Sequence, residues 1–160
     1  ISSLRSNHYK PGAYSAAGHI GHGMLSWATP DGRNAHQPLA DAASPGQGRD
    51  ISGPIAIVNS ASCYDQSNFQ NGMCLNVKFH PTALQGNGHE KLAQMTQTYF
   101  ENGGAEIQYN VVSNEVLRAA QANPADYQDL IVRIAGYSAY FVEMPKALQD
   151  DLISRNEQMI

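Results

Sequence analysis

The sequence predicts an α/β chain whose sheet is completed from outside it, and three observations carry that expectation. From residue 54 onward, apolar segments of strand length alternate with segments of helical period. The strands are few and short, and parallel strands need both of their faces covered. The first 50 residues are loop-rich, yet they interleave Tyr9, Tyr14, Met24, Leu25 and Trp27, side chains that favour burial against something large. The chain therefore divides into an irregular, loop-rich segment over 1–50, expected to lie against something large, and a regular unit over 51–160. Together they read as one structural unit with an upstream part missing.

The elements follow in order. Pro11-Gly12, Pro30-Asp31-Gly32 and Ser44-Pro45-Gly46 mark turns. Ile55–Val58 is a short apolar run, expected as a strand buried on both faces, and Met73–Phe79 is expected as a second strand. Gly88–Asn102 reads as a helix, with Leu92, Met95 and Tyr99 on one face and Gly103-Gly104 just past its end. Glu106–Val112 alternates as a strand. Ser113 stands where a helix N-cap belongs, and the helix over Asn114–Ala122 is stopped by Asn123-Pro124. Leu130–Ala135 reads as another strand. Pro145 suits a first helical position, opening a helix over Lys146–Glu157 with Leu148, Leu152 and Ile153 on one face.

Composition narrows the function. At 160 residues the chain has room for one domain, two at most. Ten basic and 14 acidic residues give a net charge of −4, which lacks the basic footprint of a nucleic-acid binder. No apolar run approaches the ~18 residues of a membrane helix. Two cysteines, Cys63 and Cys74, are too few for a disulfide scaffold and fit a reducing cytoplasm. The absence of an initial methionine or a leader pattern suggests a piece of a longer protein or one subunit of a split one.

The usual polar catalysts give little. His19 and His22 form an i, i+3 pair in a glycine-rich loop with no third metal ligand nearby, so loop histidines hydrogen-bonded to backbone are the favoured reading. That loop is followed by no Lys-Ser/Thr and is not a phosphate loop. Cys63 has no identifiable base, and Cys74 lies in an apolar strand as a small buried hydrophobe. Tyr64 and Trp27 are assigned to packing.

The informative stretch is Arg133-Ile134-Ala135-Gly136-Tyr137-Ser138-Ala139-Tyr140-Phe141, a glycine at the end of a strand among apolar and aromatic residues. It resembles the glycyl radical signature Arg-Val-x-Gly-Tyr, with Ile134 in place of Val. The resemblance extends, in order, through Thr29–Arg33, Pro38–Asp41, Gly53-Pro54, Asn71-Gly72, Asn76–Pro81, Gln108–Val112 and Asp129–Arg133. It covers nearly the whole chain and is closer to the diol-dehydratase-like branch of the glycyl radical enzymes than to pyruvate formate-lyase.

The resemblance implies the C-terminal part of a ten-stranded α/β barrel, with the radical glycine on a loop at a strand end. It makes Gly136 the radical carrier and Arg133, Ile134, Ala135, Tyr137 and Ser138 the support of its loop. Arg133 is expected to anchor that loop through carbonyls or a carboxylate. Ile134, Ala135, Tyr137, Tyr140 and Phe141 are expected to keep it dry. The segment Tyr14, Ser15, Ala16, Ala17, Gly18, His19 matches a pocket-lining segment, so Tyr14, Ser15, Ala16, Ala17 and His19 are substrate-pocket candidates. The chain itself is expected to bind no metal or cofactor. The radical is installed by an activating enzyme that depends on S-adenosylmethionine and an iron–sulfur cluster. The family's thiyl cysteine lies in a Gly-Cys-x-Glu loop that this sequence lacks, so the expected partner is a large catalytic chain or segment carrying it. A dimer of the full enzyme, a small-molecule substrate and an anaerobic cytoplasm, with a bacterial microcompartment as an option, complete the expectation. Elimination, cleavage and decarboxylation rank ahead of fumarate addition. A spare-part protein that repairs an oxygen-cleaved enzyme ranks second, and a domain with a dead radical site is disfavoured by Arg133, Gly136 and Tyr137.

Overall fold

The computed structural model describes residues 9–160; residues 1–8 of the expected loop segment lie outside the described residues. Five α-helices and four strands follow in the order α1 (Gly18–Met24), α2 (Pro54–Ala61), β1 (Asn76–Phe79), α3 (Gly88–Glu101), β2 (Gln108–Val111), α4 (Asn114–Ala122), β3 (Ile131–Arg133), β4 (Ser138–Tyr140) and α5 (Lys146–Ser154). The mixed α/β class expected from the alternating pattern is observed. The strands form two separate pairs. β1 and β2 run parallel, Asn76 opposite Gln108 and Phe79 opposite Val111, with α3 as the crossover between them. β3 and β4 form an antiparallel hairpin, Arg133 opposite Ser138.

Each pair has its own core. Ile57 and Val58 of α2 and Met95 and Tyr99 of α3 cover Leu75, Val77 and Phe79 on and beside β1. Tyr99 is fully buried, and its hydroxyl donates to Gln66 Oε1 at 3.0 Å, so the ring packs without an orphaned polar end. The second core joins Leu117 of α4, Val132 and Ile134 of the hairpin, Phe141, and Leu148 and Leu152 of α5. The Ser113 cap is present, its hydroxyl accepting the Val116 N–H at 3.3 Å. Lys78 is buried between the two units, its ammonium donating to Asn114 Oδ1 at 2.7 Å and to the Leu152 carbonyl at 3.1 Å. Burial lowers its pKa to about 8, against the pull of Glu157.

Four expectations are corrected. Ile55–Val58 is not a strand but lies in α2: Pro54 opens the helix and Pro54, Ile57, Val58 and Ala61 line its buried face, a helical spacing hidden in a run too short to show its period. The segment 1–50 is not wholly irregular, since α1 forms within it. The last helix stops at Ser154 rather than Glu157, because Arg155 turns extended. β4 was not anticipated, and with it the hairpin. The aromatics of the first segment are ordered, but among the described residues nothing buries them: Trp27 is 80% and Leu25 86% exposed, with Tyr9, Tyr14 and Met24 also open. Exposed apolar side chains on this scale give a sticky surface. The 160-residue chain purified alone is therefore expected to self-associate and to bind an apolar dye before any heating. A monodisperse chain with a sharp melt and no dye binding would contradict this.

Candidate functional site

The signature Arg133–Tyr137 occupies the hairpin between β3 and β4. Ile134 N–H donates to the Tyr137 carbonyl at 2.8 Å, which closes a two-residue turn of Ala135 and Gly136. Gly136 has φ +84°. A positive φ at the second turn residue alone is the type II pattern, and it favours glycine. A Cβ added to Gly136 would meet nothing within 4 Å, so the preference comes from the backbone conformation and not from crowding within this chain.

The turn is held from two sides. Gln108 and Asn110 sit two apart on β2 and therefore on one face of it, and that face looks toward the hairpin. The Asn110 carboxamide behaves like a peptide group: its nitrogen donates to the Arg133 carbonyl at 3.1 Å and its oxygen accepts the Arg133 N–H at 3.5 Å. Gln108 Oε1 accepts from Arg133 Nε at 2.7 Å and from the Gly136 N–H at 3.2 Å. From the other side, Arg155 Nη1 donates to the Ile134 carbonyl at 3.2 Å.

Arg155 belongs to a buried charge network. Its Nη2 lies 3.1 Å from Asp41 Oδ2 and 2.9 Å from Asp151 Oδ2. Both carboxylates are buried. Burial alone would raise the Asp151 pKa; His19 and Arg155 outweigh it and hold the group below the ordinary carboxylate range. His19 Nε2 is 3.2 Å from Asp151 Oδ1 but is not aimed along a hydrogen bond to it. His19 Nδ1 bonds Ser15 Oγ at 2.9 Å, and Ser15 donates in turn to Asp41. Behind the turn, Asp41, Asn76, Gln108, Arg133 and Arg155 line a polar cleft of about 30 Å³. That holds one or two waters and no organic substrate.

The residues singled out by sequence fall as follows. Ile134 and Phe141 are buried and Ala135 is half-buried, whereas Gly136, Tyr137, Ser138 and Tyr140 are exposed. Among the described residues the outer face of the turn is open. Arg133 grips the loop through the side-chain carbonyl oxygen of Gln108 and, at 3.4 Å, Ser138 Oγ, and not through a carboxylate; the backbone carbonyl of Ile134 goes to Arg155. Tyr14 and Ala16 are exposed, Ser15 and Ala17 half-buried, and the His19 ring is enclosed among Ser15, Asp41 and Asp151. α1 keeps His19 buried and His22 exposed, so the two do not converge on an ion. His80, Glu115 and Glu157 bring ligand-type atoms within 4.8 Å of one another. The Thr82 N–H donates to His80 Nδ1 at 3.3 Å, and the other ring nitrogen lies 4.0 Å from Glu157, beyond hydrogen-bond distance. Cys63 is exposed; Cys74 is buried, and burial with Glu106 nearby pushes its thiol up to about 12. Sequence reasoning missed Gln108, Asn110 and Arg155. The signal for the first two was two carboxamides at strand spacing between Ile107 and Val111; nothing local marked Arg155.

A mixed α/β chain that presents a tethered Arg-Ile-Ala-Gly-Tyr turn defines the class of proteins that carry a glycyl radical domain. The family model described as "Glycine radical" matches residues 39–142, and the chain belongs to that family. It is 40% identical over 158 residues to the (2S)-3-sulfopropanediol dehydratase of Klebsiella oxytoca, covering 96% of this chain and 19% of that protein. It is 40% identical over 157 residues to the 4-hydroxyphenylacetate decarboxylase glycyl radical subunit of Clostridioides difficile, covering 97% of this chain and 17% of that protein. It superposes on the glycerol-bound B12-independent glycerol dehydratase of Clostridium butyricum with a TM-score of 0.96 and 45% identity, covering 100% of this chain and 20% of that one. The fold is thus that of part of a glycyl radical enzyme barrel. The chain spans about a fifth of the length of the relatives it matches.

Proposed function

We propose that this chain is the radical-carrying C-terminal domain or subunit of a glycyl radical enzyme, and that Gly136 stores the radical. The observation that supports this is the position of Gly136: the only glycine of the Arg133–Tyr137 signature, at positive φ, with its N–H hydrogen-bonded. Loss of one α-hydrogen atom leaves a planar carbon between an amide nitrogen that donates electron density and a carbonyl that withdraws it. The single electron spreads over both. A side chain would clash with the flanking peptide groups in that planar state, and glycine has none.

The C–H bond breaks homolytically, one electron staying on the α-carbon and the other leaving with the hydrogen. The acceptor is the radical of a separate activating enzyme of the S-adenosylmethionine and iron–sulfur type. In turnover Gly136 regains a hydrogen atom from a cysteine thiol in a Gly-Cys-x-Glu loop of a larger catalytic segment or chain, and the resulting thiyl takes one from the substrate. The open outer face of the turn and the exposed Met24, Leu25 and Trp27 support a partner that covers them and keeps the radical dry. The names of the relatives, dehydratases and decarboxylases, support lyase chemistry on a small organic molecule. A dimeric assembly in the cytoplasm of an anaerobe, free or within a microcompartment, belongs to the same proposal. The supporting residues are Arg133, Ile134, Ala135, Tyr137 and Ser138, and Tyr14, Ser15, Ala16, Ala17 and His19 form the pocket-side segment; for His19 the proposed role is to fix that segment from within.

The test is anoxic activation of the full enzyme. The expected result is an electron paramagnetic resonance doublet, split by the one remaining α-hydrogen; the absence of an organic radical after competent activation would overturn the reading. Replacing both Cys63 and Cys74 by alanine is expected to leave the radical and at least part of the turnover in place, since neither thiol sits in a Gly-Cys-x-Glu loop. Complete loss of turnover in a folded, activated double variant would move the thiyl into this chain.

A further inference from the structure

We infer that Gln108 is a positioning residue that fixes the amide plane of Gly136 and sets the lifetime of the radical held there. This deepens the proposed role of Gly136 and rests on it. Gln108 is 8% exposed, and every polar atom of its side chain is engaged. Nε2 donates to Cys74 Sγ at 3.0 Å and to Asn76 Oδ1. Oε1 faces Arg133 Nε at 2.7 Å and the Gly136 N–H at 3.2 Å. The orientation of the carboxamide follows from its partners: the guanidinium and the backbone N–H are donors only, so the oxygen must face them. With both ends locked, the amide cannot rotate without breaking several bonds at once. Cys74, with its thiol pushed up to about 12, is a neutral and fixed neighbour.

The consequence concerns the nitrogen. A radical at the Gly136 α-carbon is stabilised when the lone pair of its own amide nitrogen overlaps the half-filled orbital, which requires the N–H to lie in the plane of the radical. An acceptor on the N–H holds the amide plane still while the α-carbon, at φ +84° before the hydrogen is lost, turns and flattens against it, and polarising the N–H makes the nitrogen a better donor. The guanidinium on the same oxygen keeps Oε1 from swinging away. Asn110, on the same face of β2, bonds the backbone of Arg133 and does not touch Gly136. The two carboxamides therefore divide the work: Asn110 joins the hairpin to the sheet, and Gln108 alone reaches the radical residue.

Three variants of the full enzyme, activated anoxically beside the wild type, test this. Gln108→Leu keeps bulk and removes the acceptor. The expected result is a doublet with altered hyperfine splitting and a radical that decays about tenfold faster, the scale of one hydrogen bond. Gln108→Glu keeps an oxygen toward Arg133 and Gly136 while giving up the Nε2 donor, and is expected to hold the radical far longer than Gln108→Leu does. Asn110→Leu loosens the hairpin and lowers the radical yield, but its residual signal keeps the wild-type line shape. A merely structural Gln108 would behave like Asn110, with fewer spins of unchanged shape and lifetime, and that result overturns the inference. If Gln108→Leu does not fold, Gln108→Glu decides: a radical that decays about tenfold faster than wild type although the acceptor oxygen is kept overturns the acceptor role. Failure of the wild type to form any radical at Gly136 overturns the proposed function itself, and so is distinguishable from failure of the inference.

Discussion

Gly136→Ala is expected to give a folded enzyme with no doublet signal after activation, no cleavage in air and no turnover. The alanine must adopt φ near +84°, a conformation that costs an L-residue about 1–2 kcal/mol. Its methyl group meets nothing within 4 Å, so no packing cost is added within the chain. That strain is small against the ~5–15 kcal/mol that holds a folded protein together. Assembly therefore survives while the chemistry does not, because a tertiary α-carbon cannot flatten between two peptide groups without clash. If Gly136 carries the radical as proposed, oxygen adds at its α-carbon and breaks the chain there, and mass spectrometry of the wild type is expected to find a C-terminal fragment that begins at Gly136. An unchanged signal in the alanine variant, or air cleavage at another residue, would sink the assignment of Gly136.

The parts of the fold that were legible from sequence are those whose signals are local. α3 carried three apolar residues on one face and glycines at its end; α4 carried its own serine cap and a proline stop; the radical signature is a contiguous string. The parts that were not legible depend on distant partners. Ile55–Val58 is equally apolar as strand or helix, and only Pro54 and the faces of α3 and β1 decide between them. β4 was hidden because Ser138–Tyr140 is short, exposed on two of its three residues, and defined only by pairing with β3. The candidate site shows the same division. Gly136 was found from its neighbours in sequence, but what holds it comes from β2, from a residue just past α5 and from Asp41, up to 114 residues apart. A hydrogen bond across such a separation leaves no periodicity to read. His19 illustrates the converse: the glycine-rich context suggested a loop, and burial between two carboxylates is invisible until α1 and α5 pack together.

Arg155 carries the second large expected effect. Arg155→Met keeps most of the side-chain length and removes the charge, leaving Asp41 and Asp151 buried without their shared cation and the Ile134 carbonyl without its donor. Breaking one member of a buried ion network costs about 3–5 kcal/mol, because the remaining charges stay in a poor medium. His19 compensates in part, being within 3.7 Å of Asp41 and 3.2 Å of Asp151. The sign with pH follows from Asp151. Its folded pKa lies below the ordinary value, so between the two the unfolded chain binds more protons, and the wild type gains stability as pH rises through that window and loses it as pH falls. In the variant burial dominates again and lifts the carboxyl toward or above its ordinary pKa, so acid no longer penalises the fold in the same way. The gap between the two proteins is therefore expected to be widest near neutral pH and to shrink as pH falls through the lowered wild-type pKa of Asp151, below which that carboxyl is protonated in both. Hydrogen–deuterium exchange of the Ile134–Tyr137 turn in the full enzyme reads this directly. Protection there is expected to fall about 10²–10³-fold at pH 7, the scale of that lost network, and by much less in acid. Equal protection at pH 7 would show that the Gly136 turn is held by β2 alone and that the buried charges do not reach it.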